Sequence, residues 1–498
     1  MYISRMVLQN FKCFEGEVEF SFSPGLNYLV GNNNTGKTTI FKAIEFLRGG
    51  KTKEGWITKG RENEDILVQI DIEGEDLKSL LDSNDNFKKY LPYLMDDCRL
   101  RLQRSSKEIV WKDSSKKDKT ITIKNVSLWN EDKQSFENPM GIDSNISTLF
   151  DAQFVYSDLN NEEYHSFSKS TTIVGKLLNS ITKDFQNSTK WNDFKVAHTE
   201  AFGDEGLLGT LNELQEQVEG IMKEQYGETK VEFNFGIPTI DNFFKTGRIL
   251  LEDNGIKTDV SEKGTGMQRA LALTLIQLYA QTINKDDGEF KTILFFIDEP
   301  ETFLHPVAQN KLLQSLNKIS ENNQIFITTH SPYLLKRYKK KNRLIVFSRD
   351  PHQLRVKEDA SLTIFPHSPT WGEINYKAFG IGSVEFHIEL FGLLHKKASD
   401  ERKTYNNGQN TVSRKKIRTF DEWLIEQAPD FDTNDDHQNI HNEYTDKSMI
   451  SYIRNYIDHP GEDDNLPPGK NRFAPTDNEI TKSILIMLDI LKRNFGIE

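Results

Sequence analysis

LNYLVGNNNTGKTTIFKAIEFL, residues 26–47, is the stretch on which the reading of this chain of 498 residues turns. Leu26 to Val30 run as a strand into Gly31-Asn32-Asn33-Asn34-Thr35-Gly36-Lys37-Thr38, and Ile40, Ala43, Ile44 and Leu47 then line one face of a helix. GxxxxGK[ST] between a strand and a helix is a phosphate-binding loop. Gly31 and Gly36 let the backbone curl so that successive N–H groups, through Thr39, point inward at phosphate oxygens. The helix adds the positive end of its dipole. Lys37 then reaches the β- and γ-phosphates of ATP, and the Thr38 hydroxyl ligates Mg²⁺. A chance glycine-rich turn would lack both flanks. Upstream, Ile3, Met6, Leu8 and Phe11, followed by Val18, Phe20 and Phe22, alternate as a pair of strands in a hairpin.

The second half of such a site is far downstream. Thr292 to Ile297 is a continuous apolar run, the pattern of a parallel strand buried on both faces, and it ends in Asp298-Glu299-Pro300. There Asp298 orders Mg²⁺ and Glu299 acts as general base on the attacking water. A lone Asp-Glu pair would simply begin a turn; the upstream loop gives it chemistry. Another short strand, Gln324 to Thr328, ends in Thr329-His330-Ser331-Pro332. Alone, His330 reads as a satisfied structural residue.

The bulk numbers bound the rest. Hydrophobic residues at 36% and charged at 28% describe a soluble chain with two or three domains. Its apolar runs are too short to span a bilayer, and the opening strand pattern leaves no signal peptide. Two cysteines, Cys13 and Cys98, make no disulfide framework, so a cytoplasmic location is expected. Net charge of −12 argues against wholesale coating of nucleic acid; any contact with it falls to local basic stretches, residues 336–343 and 414–418, which also read as ordinary solvated charge.

The motifs, in order, resemble those of the compact ABC ATPases of the RecF and OLD group over roughly residues 1–350, and "DEPETFLHP" and "TTHSP" are similar to the ATPases of bacterial antiphage systems of the Gabija, Septu and PARIS types. The resemblance implies an α/β fold: an ABC ATPase head, with a mixed sheet carrying the phosphate loop, then a mostly α-helical C-terminal domain. It makes His330 the switch histidine that contacts the γ-phosphate. Ser261 to Arg269 resembles the ABC signature, with Gly264-Thr265-Gly266 and Gln268 at its core, a segment that contacts the γ-phosphate held by a second subunit. A homodimer or higher homo-oligomer closed around ATP-Mg²⁺ follows. Gln153 would be the Q-loop glutamine at the metal, and Glu301 to Pro306 would sit at the dimer interface.

Four segments are expected: an N-terminal ATPase lobe (1–154), a helical insert (155–260) with a helix over Leu207 to Met222 and a strand over Lys230 to Phe235, a C-terminal ATPase lobe (261–365), and a helical effector or docking domain (366–498). The insert lacks the sustained heptads of SMC coiled coils. In the last segment, helices are expected at Ser383 to Lys396, Thr419 to Gln427, Lys447 to Ile457 and Thr476 to Asn494, with polar linkers at Lys396 to Asn410 and Asp430 to Asn442. Thr476 and Glu479 form a capping box. No apolar strand precedes the carboxylates at Asp432 to Asp436, which excludes the Toprim nuclease that OLD and Gabija proteins carry there. Arg454-Asn455-Tyr456-Ile457-Asp458-His459 matches the pattern of HEPN ribonucleases, with Arg454 stabilising phosphorane charge and His459 moving a proton; equally, Arg454 and His459 pair at a helix end and the domain docks a separate nuclease. The function implied is a defence ATPase controlling cleavage of DNA or tRNA. The rivals are a RecF-like DNA-repair ATPase without nuclease function and a scaffold with a slow ATP site.

Overall fold

The computed structural model describes all residues except 84, 114, 144–148, 158–174, 176, 179–181, 183–184, 204, 234–235, 237–241, 243–246, 254, 284–292, 336–337, 340, 351–352, 359–361, 406–416, 429–447, 459–473 and 498. The N-terminal hairpin forms from β1 (Tyr2–Phe11) and β2 (Phe14–Ser21), and β3 (Leu26–Gly31) leaves it for a second sheet. The first sheet is antiparallel, in the order β2-β1-β4-β5-β8-β9, using β4 (Leu67–Glu73), β5 (Leu100–Ser105), β8 (Ser127–Asn130) and β9 (Ser135–Glu137). A separate hairpin, β6 (Ile109–Lys112) with β7 (Asp118–Ile121), branches from it, and α2 (Leu77–Ser83) and α3 (Asp85–Lys88) lie between β4 and β5 in the chain.

The second sheet carries the site. Its order is β10-β13-β14-β3-β15-β16, with β10 (Asp151–Val155), β13 (Ile293–Asp298), β14 (Gln324–Thr329), β15 (Arg343–Asp350) and β16 (Gln353–Glu358). All neighbours are parallel except β15 and β16. Every residue of β3, β13 and β14 is buried, which is why β13 reads as an unbroken apolar run up to Asp298.

Helix α1 (Thr39–Gly49) fills the space between the sheets, burying Ile40, Phe41, Ile44 and Leu47 in one core with Met6, Leu8 and Ile70 of the first sheet and Phe296 and Phe326 of the second. Phe296 stacks on Phe154 and on Phe326, with ring centroids 4.9 and 4.8 Å away. Each such side chain contributes about 1.5–3 kcal/mol on burial. The C-terminal end of α1 is capped by the buried Arg104 of β5. Its guanidinium donates to the carbonyls of Leu47 (3.0 Å), Gly50 (2.7 Å) and Ile123 (2.7 Å), a cation placed at the negative end of the helix dipole.

The opposite face of the second sheet is covered by α6 (Thr265–Ile283), α7 (Pro306–Ile319), the short α8 (Pro332–Leu335) and α9 (Trp371–Phe379), through Ile276, Leu313, Leu316, Leu335 and Ile374. Before α6 come α4 (Thr189–Phe202) and α5 (Leu207–Gln225), neither of which buries a residue. The strand expected over Lys230 to Phe235 is absent from residues 230–233. A hairpin forms instead from β11 (Leu250–Asp253) and β12 (Ile256–Asp259), pairing Asp253 with Ile256 across Asn254-Gly255, the sequence that best suits a two-residue turn.

The C-terminal helices α10 (Val384–Tyr405), α11 (Ile417–Gln427), α12 (Met449–Asp458) and α13 (Asp477–Phe495) share a third core that includes Leu390, Leu394, Leu424, Ile453, Ile484 and Met487. The capping box at Thr476 and Glu479 forms. The polar linker expected from Lys396 is a correction: α10 continues to Tyr405, because the segment is rich in strong helix formers and Ala398 reaches the core. The second linker, 430–442, and the basic stretch at 414–416 lie outside the described residues, as do 336, 337 and 340 of the other.

Inside this core His387 Nε2 and Ser483 Oγ are 2.8 Å apart, both side chains fully buried. Burial pulls the imidazole pKa down from 6.5 to about 4. Across that interval the unfolded chain binds the proton and the folded chain does not. Stability therefore falls as pH drops from 6.5 towards 4, by about 3 kcal/mol in all from this group. Urea unfolding of the unaltered chain and of His387→Asn over this pH range checks it: the difference between the two slopes is the expected signal, and equal slopes would contradict it.

Candidate ATP site

The site forms where β3, β13 and β14 end side by side. Gly31 and Gly36 take φ of +151° and +90°, and Asn34 takes +60°. A Cβ on Gly31 would lie 2.1 Å from the Phe347 carbonyl oxygen of β15, so glycine alone fits. Asn32, Asn33 and Asn34 form the exposed rim of the loop. Thr35 is buried and donates its hydroxyl to the Asn32 carbonyl (2.7 Å). Lys37 lies under the loop, its ammonium donating to the carbonyls of Gly31 (2.9 Å) and Asn32 (2.8 Å). Burial lowers its pKa, and the nearby Glu299, Asp298 and Glu301 work in the other direction. Thr39 turns away, towards Cys13 of the β1–β2 turn.

Asp298 ends β13 amid three hydroxyls. Its Oδ1 accepts from Thr38 (2.9 Å) and Thr328 (2.5 Å), and its Oδ2 from Ser157 (3.0 Å). Glu299 follows at a φ of +43°, held by its N–H to the Thr328 carbonyl (3.1 Å) and hydroxyl (2.9 Å). Its Oε1 lies 3.3 Å from His330 Nδ1. Sheet order thus unites Lys37, Thr38, Asp298, Glu299 and His330 at one strand-end crevice, where open α/β sheets bind ligands.

The signature-like segment opens α6. Gly264 and Thr265 are exposed at its N-terminus. A Cβ on Gly266 would meet the Phe303 carbonyl oxygen at 2.8 Å, so this turn packs against the segment after Glu299. Gln268 is buried and donates to the carbonyls of Ser261 (3.2 Å) and Lys263 (2.7 Å). Arg269 donates to the carbonyls of Asp298 (2.5 Å) and Glu299 (2.6 Å), tying the signature helix to the backbone of the carboxylate pair.

One placement is corrected. Gln153 is not at the metal position: it pairs with Phe295 in β10–β13 register, one step out of phase with Asp298, so strand alternation turns it to the other face, where its amide donates to Asp151 (2.6 Å). Ser157, just beyond that strand, reaches Asp298 instead. Within the segment expected at the dimer interface, Glu301 is buried while Phe303, at a φ of +65°, is exposed, as is Val307 just beyond it. The structure does not bring Arg454 to this site. It lies on α12, paired with Asp458 (2.5 Å), hydrogen-bonded to Asn455 (3.3 Å) and 5.7 Å from the Phe391 ring centroid. Its expected companion His459 lies outside the described residues. Ser157 and Thr328 were not singled out from sequence as partners of Asp298; the small hydroxyls at the ends of Phe154–Ser157 and Gln324–Thr329 were the available signal.

Fold and motif order together define an ABC-type P-loop ATPase of the RecF and OLD group, with a helical region after it. The chain belongs to the AAA ATPase domain family, whose model matches residues 1–335. It is 30% identical over 325 residues to the Old nuclease of Escherichia phage P2, covering 62% of this chain and 53% of that protein. It is 21% identical over 419 residues to endonuclease GajA of Bacillus cereus, covering 67% and 58%. A 52-residue stretch is 42% identical to the DNA replication and repair protein RecF of Pasteurella multocida, covering 10% and 14%. The chain thus spans little more than half of the two nucleases. Among solved structures, an SMC head bound to the C-terminal winged-helix domain of ScpA aligns over 72% of this chain and 98% of that one, at a TM-score of 0.42 and 15% identity. Among the described residues no helix is long and apolar enough to cross a membrane.

Proposed function

We propose that this chain is the ATP-driven component of a bacterial antiphage system, in which two copies close around ATP-Mg²⁺ and their nucleotide state controls cleavage of nucleic acid. The observation that carries the reading is the convergence of Lys37, Thr38, Asp298, Glu299 and His330 at one crevice, while Gly264 and Thr265 are left exposed at the start of α6. Likeness to the Old and GajA nucleases supports the nuclease connection.

Loop N–H groups and Lys37 bind the phosphates, the Thr39 N–H being already committed to the Gly36 carbonyl (3.0 Å); Lys37 exchanges its two loop carbonyls for phosphate oxygens. Thr38 and Asp298 offer a hydroxyl and a carboxylate, hard oxygen donors already 2.9 Å apart, and they fit Mg²⁺, which commonly takes few protein ligands and completes its shell with phosphate and water. The ion's contribution is to neutralise phosphate charge. Glu299 takes the proton of the attacking water, and His330 donates to the γ-phosphate as charge builds there. Gly264, Thr265 and Gly266 of the second copy, at a helix N-terminus, close the γ-phosphate from the other side. Arg269 links that contact to the carboxylate pair of its own chain.

The helical region after residue 366 would act as effector or docking module. Labelled tRNA and plasmid DNA incubated with the purified chain, with and without ATP-Mg²⁺, separate the outcomes. ATP-dependent RNA cleavage lost in both Arg454→Ala and His459→Ala assigns an intrinsic HEPN-like site. Cleavage only when a second protein is added assigns docking. ATP turnover stimulated by DNA ends, with no cleavage under either condition, would replace this reading with the RecF-like one.

A further inference from the structure

The segment after Glu299 is wound into two successive turns, by the Thr302 N–H to the Glu299 carbonyl (3.1 Å) and the Leu304 N–H to the Glu301 carbonyl (2.9 Å). These turns direct Phe303 outward, 68% exposed, and Glu301 inward, 4% exposed. A carboxyl group sealed in this way costs folding free energy that an apolar side chain of similar size would not. Its contacts explain what it does there. Glu301 Oε1 accepts from the Thr329 hydroxyl (2.6 Å) and from the His330 N–H (3.1 Å). The Thr329 oxygen in turn accepts from the Ser331 N–H (3.0 Å), so one carboxyl oxygen fixes three consecutive residues at the end of β14. The ring of the middle residue, His330, lies 3.3 Å from the Glu299 carboxylate.

We propose that Glu301 is a positioning residue for ATP hydrolysis, holding the backbone of the switch histidine so that its ring stays registered against Glu299. Glu299 and Glu301 thus meet the same histidine from two ends, one at its imidazole and one at its N–H. Only one oxygen of Glu301 is used; Oε2 is buried without a hydrogen-bond partner. Burial also raises the carboxyl pKa, working against the charged form. A glutamine presents the same accepting oxygen, with an amide nitrogen in place of Oε2. The role proposed is acceptance at a fixed point, which glutamine preserves.

The proposal rests on ATP hydrolysis at this site, and the test separates the two. Steady-state ATP turnover and thermal unfolding would be measured for the full chain and for Glu301→Gln, Glu301→Leu and Thr329→Val. Glu301→Gln is expected to keep kcat within about twofold. Glu301→Leu and Thr329→Val are expected to lower kcat about 10- to 100-fold, the scale of a group displaced by about 1 Å, with KM for ATP little changed and Tm equal or higher in the leucine chain. The double variant Glu301→Leu/Thr329→Val is expected to be no worse than the single ones, because both remove one connection. A kcat that follows Tm across the series would make Glu301 merely structural and overturn the proposal. Unchanged turnover in Thr329→Val, or loss in Glu301→Gln with Tm intact, would overturn it as well. Absence of turnover in the unaltered chain would remove the ATPase reading itself, and with it the proposal.

Discussion

Glu299→Gln lowers kcat for ATP by about 10²- to 10⁴-fold, the usual contribution of a positioned general base, while ATP binding survives. The reason is local. Glu299 is outside the phosphate-binding loop, and its backbone is held by Thr328 whatever its side chain. The amide keeps the shape and an acceptor for the water, yet it cannot take a proton at neutral pH. Binding depends instead on the loop N–H groups and Lys37. Rapid-quench measurement of ATP cleavage, with binding followed by a fluorescent ATP analogue, reads the two effects separately. A variant that binds ATP less well by the same factor would mean that Glu299 contributes ground-state binding and is not the base.

The second large effect is on the loop. Gly31→Ala places a methyl group 2.1 Å from the Phe347 carbonyl oxygen and imposes a side chain at a φ of +151°. Neither can be relieved by a rotamer, because the obstacle is the backbone of β15, paired to β3 along residues 27–31. The expected cost is more than about 3 kcal/mol of stability, with ATP affinity lowered at least about 100-fold as the loop shifts. Gly49→Ala is the control. It is at the end of α1, a Cβ there meets nothing within 4 Å, and alanine suits a helix, so unchanged or slightly higher stability is expected. Urea unfolding and calorimetric ATP titration of both chains check this. Equal behaviour of the two would mean the loop is looser than its contacts imply.

What was legible in the sequence was what local backbone chemistry dictates. The phosphate loop needs glycine at 31 and 36 and a strand before it, and β13 needs an apolar run ending in carboxylates; both requirements are visible without a third dimension. The polar surroundings of Asp298 were not visible. Ser157 is 141 positions away and Thr328 is 30, and they meet it only because β10, β13 and β14 are adjacent. Gln153, in the middle of β10, has a related reason: a strand residue lies on one face or the other according to register, and the register with β13 is a tertiary fact. Glu301 sits in a segment that resemblance put at an interface, yet two turns of backbone rotate it inward. The β11–β12 hairpin has a local signal, since Asn254-Gly255 is a strong turn sequence, whereas the alternation from Lys230 does not produce a strand over 230–233. In the helical region, α13 carried its own punctuation in the capping box, whereas nothing at Lys396, where α10 was expected to end, is a glycine or proline that would stop it.

On the function proposed above, one chain holds only half of a working ATP site, with Gly264, Thr265 and Gly266 completing the site of a second copy. Sedimentation equilibrium of Glu299→Gln with ATP-Mg²⁺ and with ADP-Mg²⁺ distinguishes this from a self-sufficient chain. The predicted result is a doubled mass, or a higher even multiple, with ATP alone, and reversal of that association when Gly264→Arg is added to the variant. A chain that binds ATP and turns it over at full rate while staying monomeric at every protein concentration would contradict it.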